Sequence, residues 1–298
     1  MADGTVPVGV DVDSARADEI LVSVVLPCYR EPLPILRRAI DSILTQTHRK
    51  IELILVVDDP DDIAKAAALQ DLAAADGRVK VVVNPRNLGP WGSYNRGVLE
   101  AGGEVVAIQD SDDVSEPARL ADLLRFLIRN PGIGVVGSAL EYVDEGNGRT
   151  LMSRTYPADA ARAIRRYSPL AHPTTLRWTR LFATNGGYDE SDGYRHAADY
   201  ELWCRWFAGG VRMANVPRSY YRYYQSESNF KARNVKAILR DTVRIKRRYA
   251  RKLRFGPGDY LLLAFESLAA ALPGRVIVTA FYAVNRRRST TIRSKSEA

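Results

Sequence analysis

The sequence predicts an α/β chain, a doubly wound and mostly parallel sheet followed by a basic, apolar helical tail. Three observations carry this. Four short β-branched runs alternate with three segments of helical periodicity, the order of a parallel sheet crossed by helices. The runs are almost continuously apolar, as strands covered on both faces must be. Basic residues crowd the end of the chain: residues 231–298 hold 17 Lys/Arg against 4 Asp/Glu, whereas residues 1–230 hold 26 against 31.

The first strand is Leu21-Val22-Ser23-Val24-Val25-Leu26, ended by Pro27. A helix follows from Leu33 to Leu44, with apolar residues at Leu33, Leu36, Ile40, Ile43 and Leu44 and prolines only at its start, where they are tolerated. A second strand, Ile51 to Val57, ends at Asp58-Asp59-Pro60. Then come an Ala-rich helix from Ile63 to Ala75, a strand from Val79 to Val83, a loop from Asn84 to Gly92 and a helix from Ser93 to Ala101. The fourth strand, Glu104 to Ile108, runs into Gln109-Asp110-Ser111-Asp112-Asp113. Beyond it the pattern predicts a helix from Pro117 to Arg129, a strand from Gly134 to Tyr142 and an edge strand from Arg149 to Tyr156. A basic helix from Asp159 to Tyr167, a short strand from Thr174 to Trp178 and a loop from Asn185 to Tyr194 come next. The segment Ala197 to Ala208 reads as a helix whose Leu202, Trp203, Trp206 and Phe207 share a core-facing side. Tyr220 to Tyr224 closes the body.

The expected division is a flexible acidic leader over 1–19, a folded body over 20–230 and a tail over 231–298. The leader lacks the basic-then-apolar pattern of a secretion signal, which points to the cytoplasm. Cys28 and Cys204 form no disulfide framework and have no zinc-ligand spacing, so both read as buried thiols in a reducing compartment. In the tail, a very basic helix from Ala232 to Leu253 precedes an apolar stretch from Tyr260 to Val284, broken at Pro273-Gly274-Arg275. Each half of that stretch is shorter than the ~20 residues that cross a bilayer. Peripheral association with an anionic membrane face, on the cytoplasmic side, fits this pattern. Nucleic acid fits it less well, since a phosphate-binding arm has no need of Leu261-Leu262-Leu263.

Ligands of open α/β sheets bind beyond the carboxyl ends of the strands. The sequence puts Pro27-Cys28-Tyr29, Asp58-Asp59 and Asp110 to Asp113 at three of those ends. Three carboxylates within four residues repel one another unless solvent or a cation neutralises them. Mg²⁺-like ions share such oxygens with substrate phosphates. The alternative is a solvated acidic turn before the helix at Pro117. At Asp58-Asp59 one carboxylate can accept from a base or ribose; the alternative is that both cap a helix. No G-x-G-x-x-G follows the first strand, which argues against a nicotinamide dehydrogenase.

These residues, with Asn87-Leu88-Gly89, Asn95-Arg96-Gly97, Pro117-Ala118-Arg119-Leu120, His172-Pro173, Gly186-Gly187-Tyr188 and Asp199-Tyr200-Glu201-Leu202-Trp203, resemble the family 2 glycosyltransferases of the GT-A fold. The resemblance covers about two-thirds of the chain. It implies a nucleotide-sugar donor. Pro27, Tyr29 and Glu31 match the loop that holds the nucleobase, and Asp59 the carboxylate on base or ribose. Asp110 matches the first Asp of the D-x-D, and Asp112 and Asp113 the pair that meets ribose, diphosphate and a Mg²⁺ or Mn²⁺ ion. Asn87, Gly89 and Asn95 fall in motifs of the same nucleotide-sugar site. Asp199 matches the general base of inverting members. The chain departs from the pattern at Arg30, at Pro60-Asp61 and at Ala198, where the family often has Asn, Gly-Ser and Glu. Gln225-Ser226-Glu227 does not supply the Q-x-x-R-W of processive synthases.

A base is also required on chemical grounds. Inverting transfer is one in-line displacement, and a carboxylate that takes the acceptor proton contributes ~10²–10⁴-fold. Asp199, opening a helix after a Gly-rich loop, suits that task; its alternative is an N-cap. His172 and Trp91 are candidates for the acceptor side, against a structural histidine and a core tryptophan. The acceptor implied is a glycan or a lipid-linked one. Two competing readings are a sugar-nucleotide nucleotidyltransferase, for which Glu31-Pro32-Leu33-Pro34 is a poor triphosphate loop, and a non-catalytic protein that binds anionic surfaces.

Overall fold

The computed structural model describes residues 17–225 and 230–272. The expected leader before Ala17, the Ser226-Glu227 part of the tested motif and the apolar stretch from Pro273 onward lie outside these residues.

β1 (Val22–Cys28), β2 (Ile51–Val57), β3 (Val79–Val83) and β4 (Val105–Ile108) run parallel in the order β3-β2-β1-β4. Val22, Val24, Val25 and Leu26 are all fully buried, which is why the first strand shows no alternation. α1 (Leu33–Leu44) and α2 (Ile63–Ala75) cover one face of the sheet, and α3 (Gly89–Leu99) covers the other. Gly97 lets α3 sit close: a Cβ there would stand 2.2 Å from Val25 Cγ1. After β3 the chain crosses back and lays β4 on the far side of β1. The strand order therefore reverses between β1 and β4, the place where such sheets hold ligands.

The second half extends the same sheet with mixed strands. β8 (Leu176–Trp178) is antiparallel to β4, and β6 (Val135–Asp144) antiparallel to β8. β9 (Met213–Gln225) lies parallel to β6, and β5 (Val114–Ser115) antiparallel to β9. β7 (Thr150–Arg154) pairs with β6, fully exposed, as the expected edge strand. α4 (Arg119–Arg129) joins the face of α1. α5 (Arg180–Asn185) and α6 (Ala198–Ala208) pack on the opposite face, where Trp203 and Trp206 are fully buried core residues.

The structure differs from the expected elements in five places. α3 begins at Gly89, inside the loop expected from Asn84 to Gly92. β5 and α5 have too few residues to leave a periodic trace. β9 reaches back to Met213, seven residues before Tyr220. The expected basic helix from Asp159 to Tyr167 is a single 3-10 turn, Ala160–Arg162. Its apolar Ala160, Ala163 and Ile164 are buried as a helix would bury them. The backbone, however, is tied down on both sides: Asn215 Nδ2 donates to the carbonyls of Pro157 and Pro169, and Tyr200 Oη to that of Ile164.

The tail helix α7 (Phe230–Tyr249) packs onto the body, with Ile245, Tyr249 and the following Leu253 joining the Trp203–Trp206 core. Buried Lys246 pairs with Glu266 of α8 (Pro257–Ala271) at 2.6 Å and donates to the Arg166 carbonyl at 2.7 Å. Among the described residues, no helix is long and apolar enough to cross a membrane.

Candidate active site

The crevice begins in the turn after β1. Cys28 is buried beneath it, and burial, then the Glu31 charge, push its thiol up to about 12, so it is no nucleophile. Glu31 Oε2 accepts the Tyr29 amide at 2.7 Å, and the Arg30 guanidinium lies over the Tyr29 ring at 4.7 Å. Lys65 Nζ, from α2, donates to the Tyr29 carbonyl and pairs with Asp62 at 3.2 Å. It is the one basic residue of an otherwise uncharged first half of that helix and is 5% exposed. That lone lysine was the signal for a loop anchor, and the sequence reading passed over it.

The two acids after β2 divide their work. Asp58 is buried and fully used: its carboxylate accepts from Asn84 Nδ2 at 2.7 Å, the Leu88 amide at 2.7 Å and the Gly89 amide at 2.9 Å. It thereby caps α3 from a neighbouring strand, with Gly89 at a φ of +73°. Asn87 Nδ2 donates to the Asp58 carbonyl. Asp59 instead faces outward, 3.5 Å from Arg30 Nε, into a cavity of ≈ 740 Å³ bordered by Glu31, Pro32, Asp62 and Lys65. Neither acid caps α2; its cap is Asp62, which accepts the Lys65 amide.

The acids after β4 are layered. Asp110 Oδ1 accepts the Tyr94 hydroxyl, and its amide donates to Tyr221 Oη at 3.1 Å. Asp112 is exposed toward the crevice. The protein packed about its carboxylate, then the charges of Asp110, Glu31 and Glu145, push it up to about 6. Asp113 is fully buried below them. Its Oδ1 accepts the Tyr224 amide at 2.8 Å, and its Oδ2 is buried with no hydrogen-bond partner. Burial, then the Asp110 and Asp112 charges, hold its carboxyl well above the usual range. Gln109 ties the turn by donating to the carbonyls of Asp110 and Asp113. Gln109 is held in turn by buried Arg119, which also donates to the carbonyls of Ile108 and Pro173. Among the described residues, no three His, Cys, Asp or Glu side chains form a metal cage unaided.

Opposite these acids stands an aromatic cluster. Trp91 stacks on Tyr188, with ring centres 5.4 Å apart, and both meet His172 edge-on. Tyr94, the Asp110 partner, packs 4.9 Å from His172. His172 is buried, and its Nε2 lies 2.7 Å from Tyr188 Oη. Tyr188 Oη accepts from Arg177 Nη1 at 2.9 Å, so its own proton is free for His172 Nε2. Burial, then the Arg177 charge, keep His172 neutral, with a pKa far below the ordinary 6.5. Asn95 is spent on the same wall, with its amide bonded to Tyr188 and Glu190. Trp91 Nε1 donates to the Arg195 carbonyl. Asp199 is the second residue of α6 and is half-buried, with Ser168 Oγ 3.5 Å from its Oδ2. The α6 cap position is Ala197, without a side-chain bond, so Asp199 is not the cap.

The chain has counterparts of similar sequence and fold. The glycosyl transferase family 2 profile matches residues 23–189, which takes in both acidic turns and the aromatic wall. EpsE of Bacillus subtilis (strain 168), named as a glycosyltransferase, is 29% identical over 81% of this chain and 86% of its own. The O-antigen biosynthesis glycosyltransferase WbnJ of Escherichia coli is 30% identical over 56% of this chain and 64% of its own. The S. aureus TarS 1-349 structure superposes with a TM-score of 0.58 at 20% identity over 76% of this chain, which spans 65% of that fragment; its complex with UDP superposes equally. A match from the first strand through the aromatic wall, on a sheet of the GT-A kind, means that the chain belongs to glycosyl transferase family 2 and is a glycosyltransferase.

Proposed function

We propose that this glycosyltransferase moves a sugar, with inversion, from a nucleoside-diphosphate sugar to a hydroxyl of a glycan or lipid-linked acceptor, at the cytoplasmic face of an anionic membrane. The observation that carries the reading is a continuous wall between two kinds of acid. Tyr94 holds Asp110 on the donor side, and Tyr188, in the same aromatic cluster, lies in the field of both Asp110 and Asp199. On this reading, diphosphate-side carboxylates and a candidate base serve one crevice at the sheet's switch point.

Pro27, Tyr29, Glu31 and Asp59 would hold the nucleobase and ribose; of these, Glu31 and Asp59 line the ≈ 740 Å³ cavity, which is of ligand size. Gly89 and Asn95 support this side through the α3 cap and the wall, and exposed Asn87 through its bond to the Asp58 carbonyl. The acids after β4 offer oxygen donors only, as Mg²⁺ or Mn²⁺ prefers, and the partnerless Asp113 Oδ2 fits that donor set. Asp112 and Asp113 would hold the ion together with diphosphate oxygens. When bound, it offsets the charge of the departing nucleoside diphosphate. Asp199 takes the proton of the acceptor hydroxyl as that oxygen bonds to the anomeric carbon and the sugar–phosphate bond breaks. Trp91 offers a ring edge on the acceptor side, and His172 supports it from beneath. The UDP complex of the TarS fragment makes UDP the first nucleoside diphosphate to test, and the WbnJ name makes a glycan the first acceptor.

Thermal shift with nucleoside diphosphates, with and without Mn²⁺, tests the donor side. A metal-dependent rise in melting temperature is expected by mass action, lost in Asp112→Ala and kept in Asp199→Asn. Turnover in Asp199→Asn should fall by ~10² or more. Wild-type turnover in that variant refutes the base, and no shift with any nucleoside diphosphate refutes the donor.

A further inference from the structure

α8 is apolar on two sides. Leu263 and Ala270 face α7 and pack with Val243. On the outer side Leu261, Phe265, Leu268 and Leu272 are 73%, 68%, 71% and 45% exposed. Their spacing, i, i+4, i+7 and i+11, places them on one stripe, with Tyr260 at its edge. The two acids of the helix are turned inward: Asp259 pairs with Arg165 at 3.3 Å and Glu266 with buried Lys246 at 2.6 Å. The outer stripe therefore carries no charge, and the described protein covers only one of two apolar faces.

The chain that leads into α8 is basic. Arg247, Arg251, Lys252 and Arg254, at the end of α7 and in the turn into α8, are all exposed. At 15 residues, α8 is too short to cross a bilayer, which takes ~20. An uncharged, strongly apolar stripe beside clustered cations is the surface of a helix that lies in the headgroup boundary of an anionic membrane. A second copy meeting the same face across a two-fold axis would bring like charges together.

We propose that the outer stripe of α8 is the surface that docks this enzyme on an anionic bilayer. This rests on the membrane-side reading above and names its contact surface. The docked helix is also wired to the catalytic wall. The segment that holds Arg165 and Arg166 is tied to α8 by Asp259 and to Glu266 through Lys246. The same segment is tied to α6 by Tyr200 Oη on the Ile164 carbonyl and by Ser168 beside Asp199.

The test is flotation of the full-length chain with vesicles of phosphatidylcholine alone or mixed with phosphatidylglycerol. Wild type should float with the anionic vesicles and lose most of that binding in high salt. The double variant Phe265→Glu, Leu268→Glu should bind roughly tenfold less or weaker, with an unchanged melting temperature and an unchanged nucleoside-diphosphate shift. Flotation of the double variant equal to wild type overturns the proposal. So does wild-type chain that floats with neither vesicle, or a wild-type dimer that the double variant splits on gel filtration. Because flotation needs no donor and the thermal shift needs no membrane, either reading can fail alone.

Discussion

Buried Arg177 shows how one side chain sets the state of its neighbours. It donates to Tyr188, the Tyr188 proton turns to His172, and the Arg177 charge adds to the burial that keeps His172 neutral. The native chain thus refuses a proton that the unfolded chain accepts below its ordinary 6.5. Where the unfolded state binds more protons, stability falls with falling pH, by up to about 1.4 kcal/mol per pH unit from one such group. Urea unfolding from pH 7 to pH 5 should therefore show wild type losing stability more steeply than His172→Gln. Parallel slopes would mean that the imidazole is protonated in the folded chain. At this scale the sequence was half legible. Acids that follow an apolar run, such as Asp59 and Asp110 to Asp113, announce themselves. Lys65, Arg119 and Arg177 do not, because they reach carbonyls, hydroxyls and rings that only folding brings to them.

Elements were legible where one periodicity ran long enough. The apolar run of β1 buries Val22 to Leu26, and the spacing of α1 buries Leu36, Ile40 and Ile43, though Leu33 at its first turn is exposed. The segment from Asp159 misled because Ala160, Ala163 and Ile164 keep helical spacing while Asn215 and Tyr200 hold the backbone in turns. Tertiary hydrogen bonds outweighed propensity there. The approach of α3 to the sheet gives a prediction at this scale. Gly97→Ala would push a methyl against Val25 and Val56, whose Cγ atoms stand 2.2 and 3.1 Å from the new Cβ. Overpacking of this kind costs about 1–3 kcal/mol. Urea denaturation should show a lower midpoint for the variant, and an unchanged midpoint would mean that α3 can move off the sheet.

The whole molecule joins a regular half to an irregular one. β3-β2-β1-β4 repeats one unit, and its order, its direction and the edge where ligands bind follow from strand–helix alternation. The half from β5 to β9 mixes directions, uses strands of two and three residues and adds His172 and Tyr188 to the rings of α3, so pattern alone could not assemble it. Charge was legible along the chain, but that α7 would pack onto the body through Ile245 and Tyr249 was not. Both thiols of the chain lie in this packed interior, Cys28 under the first turn and Cys204 in the tryptophan core, and burial raises the pKa of each. Folded protein should leave iodoacetamide unreacted and consume two equivalents only once unfolded; fast modification of the native chain would contradict the packing. A protein whose own sulfurs are silent is a ready carrier for a single reporter. One cysteine introduced at Leu268 could take a spin label or a fluorophore without stripping the native pair, and would turn immersion depth into a spectrum.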